Sequence, residues 1–211
     1  MKKIVFAVAL AMTSASFAEE AVIVEEEAAP AYADSFSGLY LGLGIGGSFV
    51  KYEYGKYSEK CNRFIGTLVL GGGKAINQKF YVGGEFLMDF TKAKDKTFTD
   101  GANSITIKYQ GVTPQLALRL GYANPYWGAL FYGKAGVAFN KGKAWGVHNG
   151  ENFSHSKTKA GFVLGLGAEK AFCKKFSARL EGDYNFGSND HGMKFNKGFT
   201  IRALATYDIN F

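Results

Sequence analysis

Cysteine and proline are nearly missing from this chain, and no apolar run in it is long enough to cross a bilayer as a helix. Two cysteines, Cys61 and Cys173, exclude a disulfide-dense scaffold and a cysteine-rich zinc module. Three prolines in 211 residues exclude collagen-like and polyproline architectures. Charged or glycine residues interrupt each apolar stretch well short of the ~20 residues that a transmembrane helix needs, which excludes a helical membrane protein. Only three histidines, His148, His155 and His191, are present to build an imidazole-based metal site or active site.

Glycine and aromatics are what the chain has in excess. It carries 28 glycines in 211 residues, about 13%, together with 19 Phe, 12 Tyr and 2 Trp; the usual glycine share is about 7%. The start reads as an export signal: Lys2 and Lys3, an apolar run from Ile4 to Ala11, then Ser16-Phe17-Ala18 with small residues where signal peptidase cuts. We expect residues 1–18 to be removed. Residues 19–35 hold Glu19, Glu20, Glu25, Glu26, Glu27 and Asp34 without periodicity, and are expected to form a solvated acidic periplasmic linker, with docking to a basic periplasmic partner as the alternative.

From residue 36 to 211 the chain alternates with period two, the mark of half-buried strands. Leu39, Leu41, Leu43, Ile45 and Phe49 share one face of the first segment, against Tyr40, Gly42, Gly44, Gly46 and Ser48. Segment two, Phe64 to Gly73, is apolar on both faces and its parity stays open. Later segments set Val82, Phe86, Met88 and Phe90 against Tyr81, Gly83, Glu85 and Asp89; Leu116, Leu118 and Leu120 against Gln115, Ala117 and Arg119; Phe131, Ala135 and Val137 against Tyr132, Lys134 and Gly136. The last three set Phe162, Leu164 and Leu166 against Gly165, Gly167 and Glu169; Ala178, Leu180 and Tyr184 against Arg179, Glu181 and Asp183; and Ile201, Ala203, Ala205 and Tyr207 against Arg202, Thr206 and Asp208.

Eight such strands of about ten residues suit a tilted crossing of a bilayer, and an even number returns both termini to one side. Connections alternate between tight ones at "KAINQK", "ANPYWG" and "FCKK" and long, polar, lysine-bearing ones at 50–62, 91–104, 140–158 and 187–198. Period two alone also fits a soluble barrel with its apolar face inward. The charges favour the opposite orientation: Glu85, Arg119, Lys134, Glu169, Arg179, Glu181, Asp183 and Arg202 have mixed signs that can pair inside a narrow lumen. Aromatics gather at both strand ends, with Phe49, Phe90, Phe139, Phe186 and Phe199 at one edge and Phe80, Tyr122, Trp127, Phe176 and Phe211 at the other, like the girdles of a transmembrane barrel. In that barrel Cys61 and Cys173 fall at opposite ends, too far apart for a disulfide or a shared metal, and are expected to be thiols.

The terminal "ATYDINF", with Tyr207, Ile209 and Phe211 on alternate positions, resembles the C-terminal signature by which the outer-membrane assembly machinery recognises its clients. Residues 36–211 as a whole resemble the eight-stranded OmpA-type and opacity-type surface proteins, a superfamily of porin-like surface antigens. The resemblance implies an all-β, eight-stranded antiparallel up-and-down transmembrane barrel in a Gram-negative outer membrane. It also implies contact with outer-membrane lipid, lipopolysaccharide and the barrel-assembly machinery.

Catalytic and nucleotide motifs fail on context. Gly42-Leu-Gly44-Ile-Gly46-Gly47 has the spacing of a dinucleotide fingerprint, but its glycines alternate within a strand and open no helix. The His-x-Ser pair of lipid A deacylases is broken, since Lys157 stands two positions after His155, Gly150 after His148 and Met193 after His191. We therefore expect no enzyme activity and no cofactor, with haem binding or lipid A modification as minor alternatives. The lumen charges Glu85, Arg119, Lys134, Glu169, Arg179, Glu181 and Arg202 are expected to be a paired structural network; the alternative is a narrow porin-like channel. Removing Lys2 and Lys3 from the 25 basic residues, and the six linker acids from the 18, leaves 23 against 12 over residues 36–211, an excess of eleven positive charges. Lys51, Lys56, Lys60, Lys92, Lys94, Lys96, Lys141, Lys143 and Lys157 lie in or beside the long connections, interleaved with Tyr52, Tyr54, Tyr57 and Trp145. They are candidate contacts for lipopolysaccharide phosphates or for host or matrix polyanions, an adhesive role; nucleic acid is not expected at a cell surface.

Overall fold

A computed structural model describes residues 32–54, 57–92, 95–100, 103–109, 111–148, 151–173, 175–190 and 193–209. A short 3-10 helix (Tyr32–Phe36) leads into eleven strands: β1 (Gly38–Tyr54), β2 (Tyr57–Ala75), β3 (Phe80–Thr91), β4 (Asp95–Asp100), β5 (Asn103–Tyr109), β6 (Val112–Asn124), β7 (Ala129–His148), β8 (Glu151–Ala171), β9 (Phe176–Asn185), β10 (Ser188–Asp190) and β11 (Met193–Asp208). Eight of them close a ring in the order β1-β2-β3-β6-β7-β8-β9-β11, with β11 returning to β1. Every pairing is antiparallel, and each barrel strand lies beside its neighbour in the chain.

Alternation places the side chains. Leu43 and Ile45 on β1, Leu118 and Leu120 on β6, Leu166 on β8 and Leu180 on β9 point outward and are well exposed, while their immediate neighbours face the lumen. The open parity of the second segment is settled by its partners: Val69 lies inside with Leu87, Leu204 and Tyr40, so Phe64 and Leu70 face out. An eight-stranded lumen is only just wide enough for side chains. Its large rings therefore stand over glycines: a Cβ on Gly71 would come within 2.3 Å of the Tyr40 hydroxyl, and one on Gly167 within 2.3 Å of the Tyr132 ring. Both are cross-strand partners in the register, Tyr40 with Gly71 and Tyr132 with Gly167.

One end of the barrel is made of tight turns. At 76–79 the Asn77 side-chain oxygen accepts hydrogen bonds from the backbone N–H of Lys79 and Phe80. At 125–128 the oxygen of Asn124 accepts from Tyr126, and Gly128 supplies the positive φ of 59° that the turn needs. The other end differs from the sequence expectation. The segments 50–62, 91–104, 140–158 and 187–198 are largely strand, because β1 and β2 stay paired out to Tyr54 and Tyr57, and β7 and β8 out to His148 and Glu151. Polar residues on both faces hide such strands from period-two reading, yet the backbone ladder forms without an apolar face. The β4–β5 hairpin joins this wall through β5, which runs beside the outer part of β7 from Ser104↔Val147 to Tyr109↔Gly142. From Phe139 to His148 the wall rises ~30 Å along the strand, or ~20 Å along the axis at the usual tilt.

The acidic stretch also ends differently from expectation. Residues Tyr32–Phe36 sit in the tight-turn mouth, where Ala33 and Phe36 are buried against Tyr81, Ala123, Leu130 and Tyr132. In a 3-10 helix positions i and i+3 eclipse, so these two side chains share the face that enters the lumen. Ser37 ties the segment down: its hydroxyl donates to the Ala33 carbonyl at 3.4 Å and accepts from Ala75 N–H at 2.9 Å.

Candidate functional site: a charged lumen and a basic outer rim

Above the Phe36 stopper the lumen is filled by ion pairs. Arg119 on β6 lies over the Tyr132 ring, 3.8 Å from its centroid, and donates to the Tyr40 hydroxyl at 2.9 Å and to Glu169 at 2.7 Å. Arg179 on β9 reaches across to Glu85 on β3 at 2.8 Å and to Glu169 at 3.2 Å. Glu85 also accepts from Tyr40 at 3.0 Å, and Glu169 accepts from Ser177 at 2.7 Å.

Lys134 joins this layer to the next. Its ammonium donates to Glu181 at 2.5 Å and Asp183 at 2.9 Å and stands 3.5 Å from Glu85. Arg202 on β11 closes the upper layer, holding both oxygens of Asp89 at 3.0 and 2.6 Å, Glu181 at 3.0 Å, and Asp183. Thr67 and Gln115 complete the Asp89 carboxylate at 2.7 and 2.9 Å. Arg119 and Arg202 are fully buried. Desolvating a charge is costly, and these charges persist because each meets an opposite one with good hydrogen-bond geometry.

All of Glu85, Arg119, Lys134, Glu169, Arg179, Glu181 and Arg202 are thus buried and mutually connected. Sequence reasoning put Asp89, Tyr40 and Tyr132 on the polar face but did not bring them into the network. The signal was present: Asp89 stands four residues beyond Glu85 on the same face, and the tyrosines face glycine. Among the described residues no group of three or more His, Cys, Asp and Glu is placed to hold a metal ion. Each carboxylate of the network instead meets Arg or Lys, an arrangement that fills and cross-links the lumen.

The basic residues at the other end are dispersed. Lys51 on β1, Lys60 on β2, Lys92 after β3 and Lys141 on β7 are exposed at the outer part of the wall. Lys96, Lys143 and Lys157 belong by backbone to β4, β7 and β8, with side chains outside the described residues; Lys56 and Lys94 lie outside them altogether. His148 and His155 fall on the β7–β8 hairpin, and His191 is outside the described residues. Of the terminal signature, Tyr207 is on the outward face with its ring centroid 5.0 Å from that of Phe176, and Ile209 N–H donates to the Leu39 carbonyl at 2.8 Å. Phe211 is outside the described residues. Cys173 is free and exposed in the turn after β8, whereas Cys61 is paired by backbone with Val50 at the far end of the barrel.

Comparison with known proteins agrees with this architecture. A family model for the outer membrane protein beta-barrel domain matches residues 4–205. The 31 kDa outer-membrane immunogenic protein of Brucella melitensis is 28% identical over 210 residues, covering 86% of this chain and 85% of that protein; the Brucella suis protein of the same name matches equally. Neisserial surface protein A superposes with a TM-score of 0.50 at 12% identity, over 82% of this chain and 98% of that one. The attachment invasion locus protein of Yersinia pestis does so at 0.48 and 18%, over 81% and 98%. From Phe80 to Phe90 the outward band on β3 spans ~33 Å of strand, or ~25 Å along the axis, the height of the lipid-facing band in such barrels. The chain belongs to the outer-membrane protein β-barrel domain family, and its exposed leucines and phenylalanines form the surface that faces lipid.

Proposed function

We propose that this protein is a non-conducting surface protein of the outer membrane that binds polyanions through its basic, aromatic outer hairpins, and that it is neither a pore nor an enzyme. The observation that carries the reading is the lumen: side chains from β3, β6, β7, β8, β9 and β11 meet across it in one ion-paired network, with Phe36 beneath. A barrel filled in this way has its useful surface outside, and β7 and β8 carry that surface well beyond the lipid band. The excess of positive charge in the barrel region fits an anionic partner.

Two measurements test this. Planar-bilayer recording of the refolded mature protein should give little or only intermittent conductance. Stable channels altered by Glu85→Ala or Arg179→Ala would establish the porin-like alternative. Binding of heparin-like matrix should weaken steadily as salt rises, because each lysine contact releases condensed counterions. Reversing Lys92, Lys94 and Lys96 to Glu should cut that binding with gel mobility of the folded barrel unchanged. Salt-indifferent binding, or binding untouched by the reversal, would remove the adhesive reading.

A further inference from the structure

On the outward face of β7 the side chains shrink toward the tight-turn end, from Val137 through Ala135 to Gly133, and then widen abruptly to the ring of Phe131. Gly133 stands in the register between Leu120 on β6 and Leu166 on β8, which are 65% and 75% exposed. A Cβ on Gly133 would meet nothing within 4 Å. The result is a groove of about 870 Å³, with Gly133 in its floor, Leu120 and Leu166 as its walls and Phe131 across its lower end, reaching sideways past Tyr122 to Phe80.

Below the groove the aromatic girdle has a gap. The rung at that level runs from Phe80 through Tyr122 and Phe131 to Ala168 on β8, so the row of rings stops at the groove's edge. Two residues further along β8, Lys170 has the same outward parity; it is exposed, lies opposite the small Ala129 and Ala178, and meets no carboxylate among the described residues. Four residues of strand separate the level of Gly133 from that of Lys170, ~13 Å. Trp127 stands beside this exit, its ring centroid 5.6 Å from that of Phe131 in an edge-to-face arrangement. The segments 74–79, 123–128 and 170–176, which make the turns at this end, contain no Asp or Glu.

Position fixes what such a groove can hold. The strands on either side of β7 are ~9.6 Å apart, room for a single hydrocarbon chain between the two leucines. A concavity in a lipid-facing wall is dry, and its lining forfeits dispersion contacts unless a chain lies in it. Short turns mark the periplasmic end of such barrels, so the lipid within reach belongs to the inner leaflet. Tryptophan rings and lysine ammonium groups at the barrel's edge sit at the level of the headgroups. We propose that the Gly133 groove binds one acyl chain of an inner-leaflet phospholipid, whose phosphate is held by Lys170 below the gap at Ala168. The site depends neither on the outer hairpins nor on their polyanion.

The test uses the refolded full mature protein in zwitterionic detergent, with lipid occupancy read by native mass spectrometry. Phosphatidylglycerol and a diacylglycerol with the same chains are titrated separately. One phosphatidylglycerol should be retained per barrel, more tightly than the diacylglycerol. Gly133→Leu fills the groove without a clash and should weaken that binding tenfold or more, with the gel mobility of the folded barrel unchanged. Gly66→Leu, at an outward glycine on β2 that also faces open space, is the control and should bind as wild type does. Lys170→Ala should weaken binding about fivefold, the usual contribution of one basic residue at an anionic surface, and Lys170→Arg should restore it. Equal binding of the diacylglycerol, or a Gly133→Leu barrel within twofold of the Gly66→Leu control, would overturn the assignment. So would a two-barrel species that Gly133→Leu abolishes, which would give the groove to a second copy of the chain.

Discussion

Arg202→Met tests the lumen network most sharply. Arg202 supplies both nitrogens that hold Asp89 and one of the two cations that hold Glu181 and Asp183. The wild-type upper layer sets two cations, Lys134 and Arg202, against three carboxylates; the variant leaves Lys134 alone with all three. Methionine fills much of the arginine stem's volume, so the loss is mainly electrostatic. Removing one partner from a buried pair typically costs about 3–5 kcal/mol, and Asp89 keeps only Thr67 and Gln115 as donors among the contacts described above. We expect destabilisation in that range, measured as a shift in urea midpoint for the barrel in lipid vesicles, followed by the gel mobility of folded and unfolded forms. Adding Asp89→Asn should recover a large part of it, with a coupling energy of ~1 kcal/mol or more in the double-mutant cycle. The same variant should raise conductance with a preference for cations, because the freed carboxylates line the upper lumen. Stability within ~1 kcal/mol of wild type, with no coupling to Asp89→Asn, would refute the claim that these pairs fill and brace the lumen.

Three further outcomes are expected. Phe36→Ala should loosen the stopper, costing about 3–5 kcal/mol for a buried aromatic and raising the frequency of brief openings in bilayer recordings; unchanged recordings and urea midpoint would show that the stopper neither seals nor stabilises. Gly46→Val should block folding or cost several kcal/mol, since a Cβ there would come within 2.1 Å of the Ile201 carbonyl oxygen, whereas Gly66→Val meets open space on the lipid face and should refold normally; heat-modified gel mobility of both variants checks the contrast. Deleting Phe211 should lower assembly into the outer membrane of cells while leaving detergent refolding intact, and equal assembly would separate this residue from the recognition signal.

Much of the barrel was legible because a strand's pleat allows only two directions for a side chain. Once Leu41, Leu43 and Ile45 share a face, Tyr40, Gly42 and Gly44 must share the other, and no tertiary contact is needed to say so. The same rule located Glu85, Arg119, Lys134, Glu169, Arg179, Glu181 and Arg202 in the lumen. It failed for Phe64 to Gly73, where both faces are apolar and only pairing with β1 and β3 chose the inner one. It failed again where the sequence carries polar residues on both faces, so the outer halves of β7 and β8 read as loops.

Period two, together with the mixed-sign charges on the polar face, determined the eight barrel strands, their orientation to lipid and the two aromatic edges, since each depends on one residue's relation to water or hydrocarbon. Tertiary structure alone decided which charges meet. Arg179 finds Glu85 94 positions away, and Arg202 finds Asp89 113 away, because the stagger of a closed ring sets which rungs share a level. The burial of Ala33 and Phe36 has the same origin. Alternation says which side of the wall a residue occupies, and only ring closure and register say how high it stands and what stands beside it.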